Sequence, residues 1–135
     1  VQAVLDAGAI AAAVGTLLLR TDEAGTSTTH RAALADPNFH GTTITHAFTG
    51  RPARALTNDF ITTHEAHAPY AYPAVHHLTR PIRQAAAKAG HAQHVHLWAG
   101  TGHRNAPTGP AANVIRTLYP LPDNHHPTAS SPTTP

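Results

Sequence analysis

A run of apolar and small residues near the start of the chain constrains the fold most. The stretch lies within residues 8–25; its apolar run breaks at Gly15-Thr16 and then resumes at Leu17. A continuous apolar run is typical of a strand in a parallel sheet that is covered on both faces. A glycine at its end lets the main chain approach an anion, and a threonine adds a hydroxyl donor. The run therefore predicts a buried strand over residues 9–14, followed by a phosphate-binding turn.

The chain length limits the architecture that this strand can join. The sequence has 135 residues, enough for one modest domain, whereas a complete α/β barrel needs about 250. It contains no Met, and residues 2–8 resemble the second half of a helix that ends at Gly8 and has no N-cap residue. We therefore expect the chain to be truncated at its N-terminus.

The composition excludes several classes of protein. The absence of Cys removes disulfides, thiol nucleophiles and Cys-based zinc sites. No apolar run approaches the roughly 20 residues of a membrane helix. The net charge is +2 and only 12% of residues are charged, so there is no basic field of the kind that binds nucleic acid. We expect a cytoplasmic protein that binds neither nucleic acid nor a membrane.

Local signals predict a mostly helical chain with few short strands. Thr26 or Ser27 can cap a helix that runs to about residue 35, and Asn58 can cap one over residues 59–65. The β-branched residues 42–45 predict a short strand.

The second half of the chain adds two predicted helices and a tail. Pro81 marks the start of a helix over residues 81–89, with Gly90 just beyond its end. A last helix is predicted over residues 111–118. Residues 120–135 lack apolar anchors, so we expect them to be disordered.

The 13 His residues raise the question of a metal site. The sequence His64-Glu-Ala-His67 resembles a zinc-protease motif, but its two His are three positions apart rather than four, and Pro69 ends the helix. His94 and His96 belong to a second His-rich stretch. A metal-binding or interaction module without catalysis therefore stays open as an alternative function.

Several segments follow one another in an order that is more specific than any single motif. They are residues 14–25 (VGTLLLRTDEAG), 45–54 (THAFTGRPAR) with Asn58 and Phe60, 72–73 (YP), 78–81 (LTRP) and 97–102 (LWAGTG). This succession resembles the C-terminal part of the nitronate monooxygenase family, once called 2-nitropropane dioxygenases. The resemblance extends from residue 1 to about Leu118.

The resemblance implies an α/β fold, namely the C-terminal part of a TIM-barrel flavoprotein with an α-rich small domain that closes over the flavin. On that template, residues 1–40 are the end of the barrel, with its last helix and strand and the FMN-phosphate turn. Residues 41–80 are the small substrate-side domain. Residues 81–119 are the terminal helices and a Gly-rich loop, and residues 120–135 are the tail.

The resemblance also implies a cofactor site. The family's Gln-x-Gly-Thr, which holds the phosphate of non-covalently bound FMN, falls on Ala13-Val14-Gly15-Thr16. Gly15 and Thr16 match, whereas Ala13 replaces the amide and so removes donors and an acceptor. The loop at residues 100–102 would return towards the flavin.

The implied reaction is oxidation of an alkyl nitronate by O₂ to a carbonyl compound and nitrite, through reduced flavin. The family's catalytic base is a His in a Gly-Gly-His context that precedes the eighth strand, and none of the 13 His here has that context. No catalytic residue is therefore assigned in this chain. We expect the chain on its own to be inactive.

Overall fold

Five α-helices and two short strands make up the regular structure of residues 1–119, the part of the chain that the computed structural model describes. The helices are α1 (Gln2–Asp6), α2 (Thr28–Ala35), α3 (Asp59–His64), α4 (Ala74–Lys88) and α5 (Ala111–Leu118), and the strands are β1 (Thr42–Thr45) and β2 (Ala53–Leu56). Short 3₁₀ helices lie at Thr16–Leu18, Glu65–His67, Ala92–His94 and His103–Asn105. None of the helices in this range could cross a membrane. The tail predicted at residues 120–135 lies outside the described residues.

The two strands form an antiparallel hairpin, which residues 97–99 extend on the far side of β2. Thr42 lies opposite Leu56 at one end of the hairpin. The main-chain N–H of Leu56 donates to the Leu97 carbonyl at 2.9 Å, and the N–H of Ala99 donates to the Arg54 carbonyl at 3.1 Å. The strand predicted at residues 42–45 is confirmed, whereas β2 had not been predicted.

Two clusters of buried apolar side chains stabilise this body, which we define as residues 21–119. One cluster joins α2 and α4 to the sheet, and it consists of Ala33, Leu34, Phe39, Leu56, Ala86, Val95, Leu97 and Ala99. The other lies between the hairpin and α3, and it consists of Ala47, Phe48, Ala55, Phe60 and Ile61. Burial of these side chains removes apolar surface from water, which is the main favourable contribution to folding.

The helices α2 and α3 begin where their capping residues predict. Ser27 Oγ accepts a hydrogen bond from the main-chain N–H of His30 at 3.2 Å. Asn58 Oδ1 accepts one from Ile61 at 3.1 Å, while its amide donates to the Val95 carbonyl at 2.9 Å. Each cap satisfies an N–H that has no partner within its helix.

Helix α4 begins earlier than its Pro signal predicts. The prediction placed its start at Pro81, but the helix begins at Ala74, and Pro81 lies inside it. Val75 and Thr79 are buried, and Thr79 Oγ1 donates to the Phe48 carbonyl at 2.5 Å. These tertiary contacts stabilise the turns before Pro81 and offset the hydrogen bond that a proline cannot donate.

The strand predicted over residues 9–14 is wrong. This stretch has no regular structure, and Ile10 is fully exposed. A strand requires a neighbour to satisfy its N–H and C=O groups, and β1 and β2 are the only strands among the described residues. Helix α1 ends as predicted, with Gly8 at a φ of +96° just beyond it. We call residues 1–20, none of which is buried, the N-terminal segment.

Candidate functional site

The Gly15-Thr16 turn and the loop at residues 97–102 meet at a groove of about 310 Å³. The residues that line it are Gly15, Thr16, Leu19, Arg54, Trp98, Ala99 and Gly100. The main-chain N–H of Gly100 donates to Thr16 Oγ1 at 2.9 Å. This bond joins the two Gly-containing sequences across 84 positions of the chain.

The Gly15-Thr16 turn presents hydrogen-bond donors and little side-chain bulk to the groove. Thr16 Oγ1 accepts from Gly100, so its own O–H is left to donate. Thr16 also begins a 3₁₀ helix, whose first N–H groups have no carbonyl partner within that helix. A Cβ at Gly15 would meet nothing within 4 Å, so the space beside the turn is open. These features are typical of a site that accepts an anion.

Arg54 and Trp98 form two walls of the groove. Arg54 Nη1 donates to the Thr42 carbonyl at 3.3 Å and to Thr42 Oγ1 at 3.2 Å, which holds the guanidinium beside the hairpin. The Trp98 indole packs edge-on against Phe48, with ring centroids 6.1 Å apart. Both residues belong to segments that carry the family resemblance, but neither was predicted to take part in a site.

The four residues predicted to hold the FMN phosphate are not all at the groove. Gly15 and Thr16 line it together with Gly100, whereas Ala13 and Val14 do not. Ala13 is exposed and lies in the irregular stretch that precedes the turn. The structure thus brings together the part of the motif that matches the family and leaves the departing position outside.

A second, larger cavity of about 550 Å³ lies on the other side of Trp98, between α2 and α4. We call it the basic cavity, because its polar lining includes Arg80, Arg83, His30, His76, His96 and Gln84 and no carboxylate. Trp98 lines both the groove and this cavity.

Arg83 is the central residue of the basic cavity. Only 5% of its surface is exposed. Its Nε donates to Thr79 Oγ1 at 3.1 Å, and its Nη2 donates to the His76 carbonyl at 2.8 Å. Its Nη1 lies 3.2 Å from His96 Nε2. On α4, Val75, Thr79 and Arg83 recur at every fourth position, which places them on one buried face. That spacing is the sequence signal for Arg83, which was not predicted as a site residue.

The ionisable groups of the basic cavity have shifted pKa values. Burial, followed by the positive charge of Arg83, lowers the pKa of His96 to about 4. Burial also lowers the pKa of His30. The pKa of Arg83 is lowered by burial and by the like charge of Arg80. At neutral pH the His96 ring is therefore uncharged and can accept from Arg83, which stays protonated.

Glu65 binds the end of β1 rather than taking part in a pair with its flanking His residues. Its carboxylate accepts from Thr45 Oγ1 at 2.5 Å and lies 2.5 Å from His46 Nδ1. The His46 ring stacks on Tyr70 at 4.0 Å, and its Nε2 lies 2.7 Å from the Ala68 carbonyl. Burial raises the pKa of Glu65, but the hydrogen bonds from Thr45 and the main chain and the charge of His46 together lower it below its usual value.

The described residues offer no constellation for the His-rich alternative. Within residues 1–119, no three His, Asp or Glu side chains are grouped so that they could hold a metal ion. His96 instead lies against the Arg83 guanidinium. A cation at that distance disfavours a second positive charge on the ring.

Comparisons with known proteins agree on one family. A family model described as nitronate monooxygenase matches residues 1–120. Among curated relatives, a probable nitronate monooxygenase of Staphylococcus saprophyticus is 36% identical over 100 residues, which cover 72% of this chain and 28% of the relative. A protein of the same description from Staphylococcus aureus strain Newman is 34% identical over 114 residues, 82% of this chain and 32% of the relative.

A solved structure extends the similarity to three dimensions. The crystal structure of a nitroalkane oxidase from Streptomyces ansochromogenes matches with a TM-score of 0.83 and 57% sequence identity. The match covers 86% of this chain and 34% of that protein. The chain therefore spans about a third of the length of the relatives that it matches.

Proposed function

Because the chain belongs to the nitronate monooxygenase family, we propose that it supplies the FMN-phosphate end of an enzyme that oxidises alkyl nitronates with O₂ to a carbonyl compound and nitrite. The Gly100 to Thr16 hydrogen bond carries this proposal. It closes a groove from two of the segments on which the family resemblance depends. The identity of 57% to a nitroalkane oxidase supports the reaction class.

The groove suits a phosphate group for three reasons. The Thr16 hydroxyl and the N–H groups at the start of its 3₁₀ helix donate hydrogen bonds. Gly15 leaves room for close approach of the ligand. Arg54 adds a permanent positive charge at the groove wall. Its N–H groups would replace the amide donors that Ala13 lacks. When bound there, FMN would supply the electron-transfer chemistry that no side chain can supply.

The implied division of the chain follows from this proposal. Residues 1–40 would carry the end of the barrel, residues 41–80 the small substrate-side domain, and residues 81–119 the terminal helices and the Gly-rich loop. The chain on its own does not turn over nitronates, because none of its His residues has the Gly-Gly-His context of the family's base.

Titration of the purified chain with FMN, followed by flavin fluorescence, tests the cofactor site. We expect Thr16→Val to weaken FMN binding about tenfold, because it removes both the hydroxyl donor and the acceptor of the Gly100 N–H while keeping the shape of the side chain. We expect Ala13→Gln to strengthen binding. The matched control is Thr43→Val, since Thr43 lies on β1 and does not line the groove.

Two outcomes would overturn the proposal. One is no FMN binding by either the original chain or Ala13→Gln, and the other is equal binding by Thr16→Val and Thr43→Val. Nitrite release from propane-2-nitronate, measured on the same protein, should stay at the background rate. Turnover by the chain alone would refute its proposed inactivity.

A further inference from the structure

The basic cavity contains a buried cation that has no acidic partner. Arg83 is almost fully buried, and no carboxylate lines the cavity. Among residues 1–119, the one pair of oppositely ionisable groups within 4.0 Å is His46 with Glu65, in another part of the body. The charge of Arg83 is therefore not balanced by an acidic side chain of the described chain.

Burial of an unpaired charge is costly, and the neighbours of Arg83 offset only part of that cost. A guanidinium remains protonated at all ordinary pH values, so Arg83 cannot neutralise itself. Its hydrogen-bond partners are neutral, namely the Thr79 hydroxyl and the His76 carbonyl. Arg80, one turn earlier on α4, also lines the cavity and adds a second positive charge.

The remaining lining adds polar and apolar groups around an open space. His30 Nε2 is buried and has no hydrogen-bond partner in the described part of the chain. Gln84 contributes an amide on the same side of α4 as Arg80. The Trp98 indole and the Ala87 and Val95 side chains provide an apolar wall. The cavity is wide enough at about 550 Å³ for a small organic molecule as well as for a free ion.

We propose that the basic cavity binds an oxyanion group, with Arg83 and Arg80 as its counter-charges. A guanidinium fork pairs best with an anion whose charge is shared by two or more oxygens, as in a carboxylate or a phosphate. The apolar wall at Trp98 favours an oxyanion that is carried by a small organic molecule. This site is separate from the Gly15-Thr16 groove, and it depends on no assumption about the flavin.

Intrinsic fluorescence can report occupancy of the cavity, because Trp98 is the chain's only Trp and lines it; since Trp98 also lines the groove, the Arg80 variant assigns the signal to the cavity. The flavin-free chain is titrated with inorganic phosphate and with butyrate, and chloride keeps the ionic strength constant. We expect a saturable change that Arg80→Gln weakens about tenfold. Arg80 is exposed, so this variant should fold. The matched control, Arg116→Gln, removes an exposed Arg from α5 and should bind as the original chain does.

The two probes separate the possible sources of the oxyanion. Tighter binding of butyrate supports an organic anion whose tail lies against Trp98, whereas tighter binding of phosphate supports a free ion at the same residues. We expect Arg83→Gln to abolish binding, and its thermal melting shows whether the fold is retained. The absence of a saturable change with both probes, or an equal effect of Arg80→Gln and Arg116→Gln, would overturn the proposal.

The FMN titration distinguishes this proposal from the proposed function. Thr16→Val should weaken FMN binding and leave butyrate binding unchanged, while Arg80→Gln should do the reverse. If phosphate displaces FMN and Arg80→Gln weakens FMN binding, the basic cavity is the flavin-phosphate site and the inference of a separate oxyanion site is wrong. If Thr16→Val has no effect on FMN, the groove assignment fails on its own.

Discussion

The N-terminal segment and the body are both rich in apolar residues, yet only the body buries them. In the segment, residues 1–20, no side chain is buried and Ile10 is fully exposed. In the body, Leu56 and Leu97 are fully buried, and the main chain of one bonds to the main chain of the other. The difference lies in geometry rather than in hydropathy, because burial requires a partner surface at the right place.

The largest contrast between the two regions is expected for apolar truncations. Phe48 is fully buried and stacks on Phe60 at 4.4 Å, so Phe48→Ala should lower the free energy of unfolding by about 3–5 kcal/mol. Ile10→Ala should change it by less than about 0.5 kcal/mol, because Ile10 contacts solvent. Urea denaturation of the two variants measures both values. Similar losses would show that the segment is packed in solution.

A smaller contrast between the two regions is expected when a carboxylate in each is replaced by an amide. Glu65→Gln removes the charge that faces His46 and weakens the hydrogen bond from Thr45, so it should cost about 1–2 kcal/mol at pH 7. Because folding lowers the pKa of Glu65, its contribution is present above the unfolded pKa and is lost as pH falls through the folded value. The difference in free energy of unfolding between Glu65→Gln and the original chain should therefore shrink as the pH is lowered from 7 through the acidic range. The control Asp6→Asn, in the N-terminal segment, should have no measurable effect over the same range.

The stability of the body should depend on pH through the His96 ring. Its folded pKa of about 4 lies below the unfolded value of about 6.5, so the neutral ring is favoured by folding. The corresponding stability is complete above pH 6.5 and declines as pH falls towards 4. Melting temperatures measured between pH 7 and pH 4 should fall less in His96→Asn than in the original chain. The exposed His91, changed to Asn, should leave the profile unaltered.

The smallest effect is expected from removing part of the segment itself. Deletion of residues 1–8 takes away α1, which buries no residue, so the free energy of unfolding should change by less than about 0.5 kcal/mol. Within residues 1–119, limited proteolysis of the original chain should cut first at residues 9–14, where regular structure is absent. First cleavage within the body would contradict the contrast between the two regions.

Features that depend on a few neighbouring residues were predictable from the sequence. The caps of α2 and α3 are local hydrogen bonds from Ser27 and Asn58, so residue type and position suffice to predict them. The irregular conformation of residues 9–14 was not predictable in this way, because a strand forms only beside a neighbouring strand, which periodicity cannot reveal. The early start of α4 likewise depends on the distant contact between Thr79 and Phe48.

The same distinction applies to the candidate sites. Gly15 and Thr16 were found through a motif, and the hydrogen bond from Gly100 places the loop at residues 100–102 against that turn. The position of Arg54 at the groove was not predicted, because it is set by the pairing of β1 with β2. The basic cavity was not predicted at all. Its residues come from α2, α4 and the stretch before residue 99, and only tertiary packing brings them together.

The bond between Gly100 and Thr16 has a consequence for the synthesis of the protein. A ribosome delivers the turn at residues 15–16 first, and the residue that completes the groove follows 84 positions later. At about 5–20 residues per second, that interval lasts on the order of 4–17 seconds. During that time, the nascent turn lacks the wall that would hold a cofactor. If the groove is the FMN-phosphate site proposed above, cofactor loading should follow translation of the loop rather than accompany emergence of the turn.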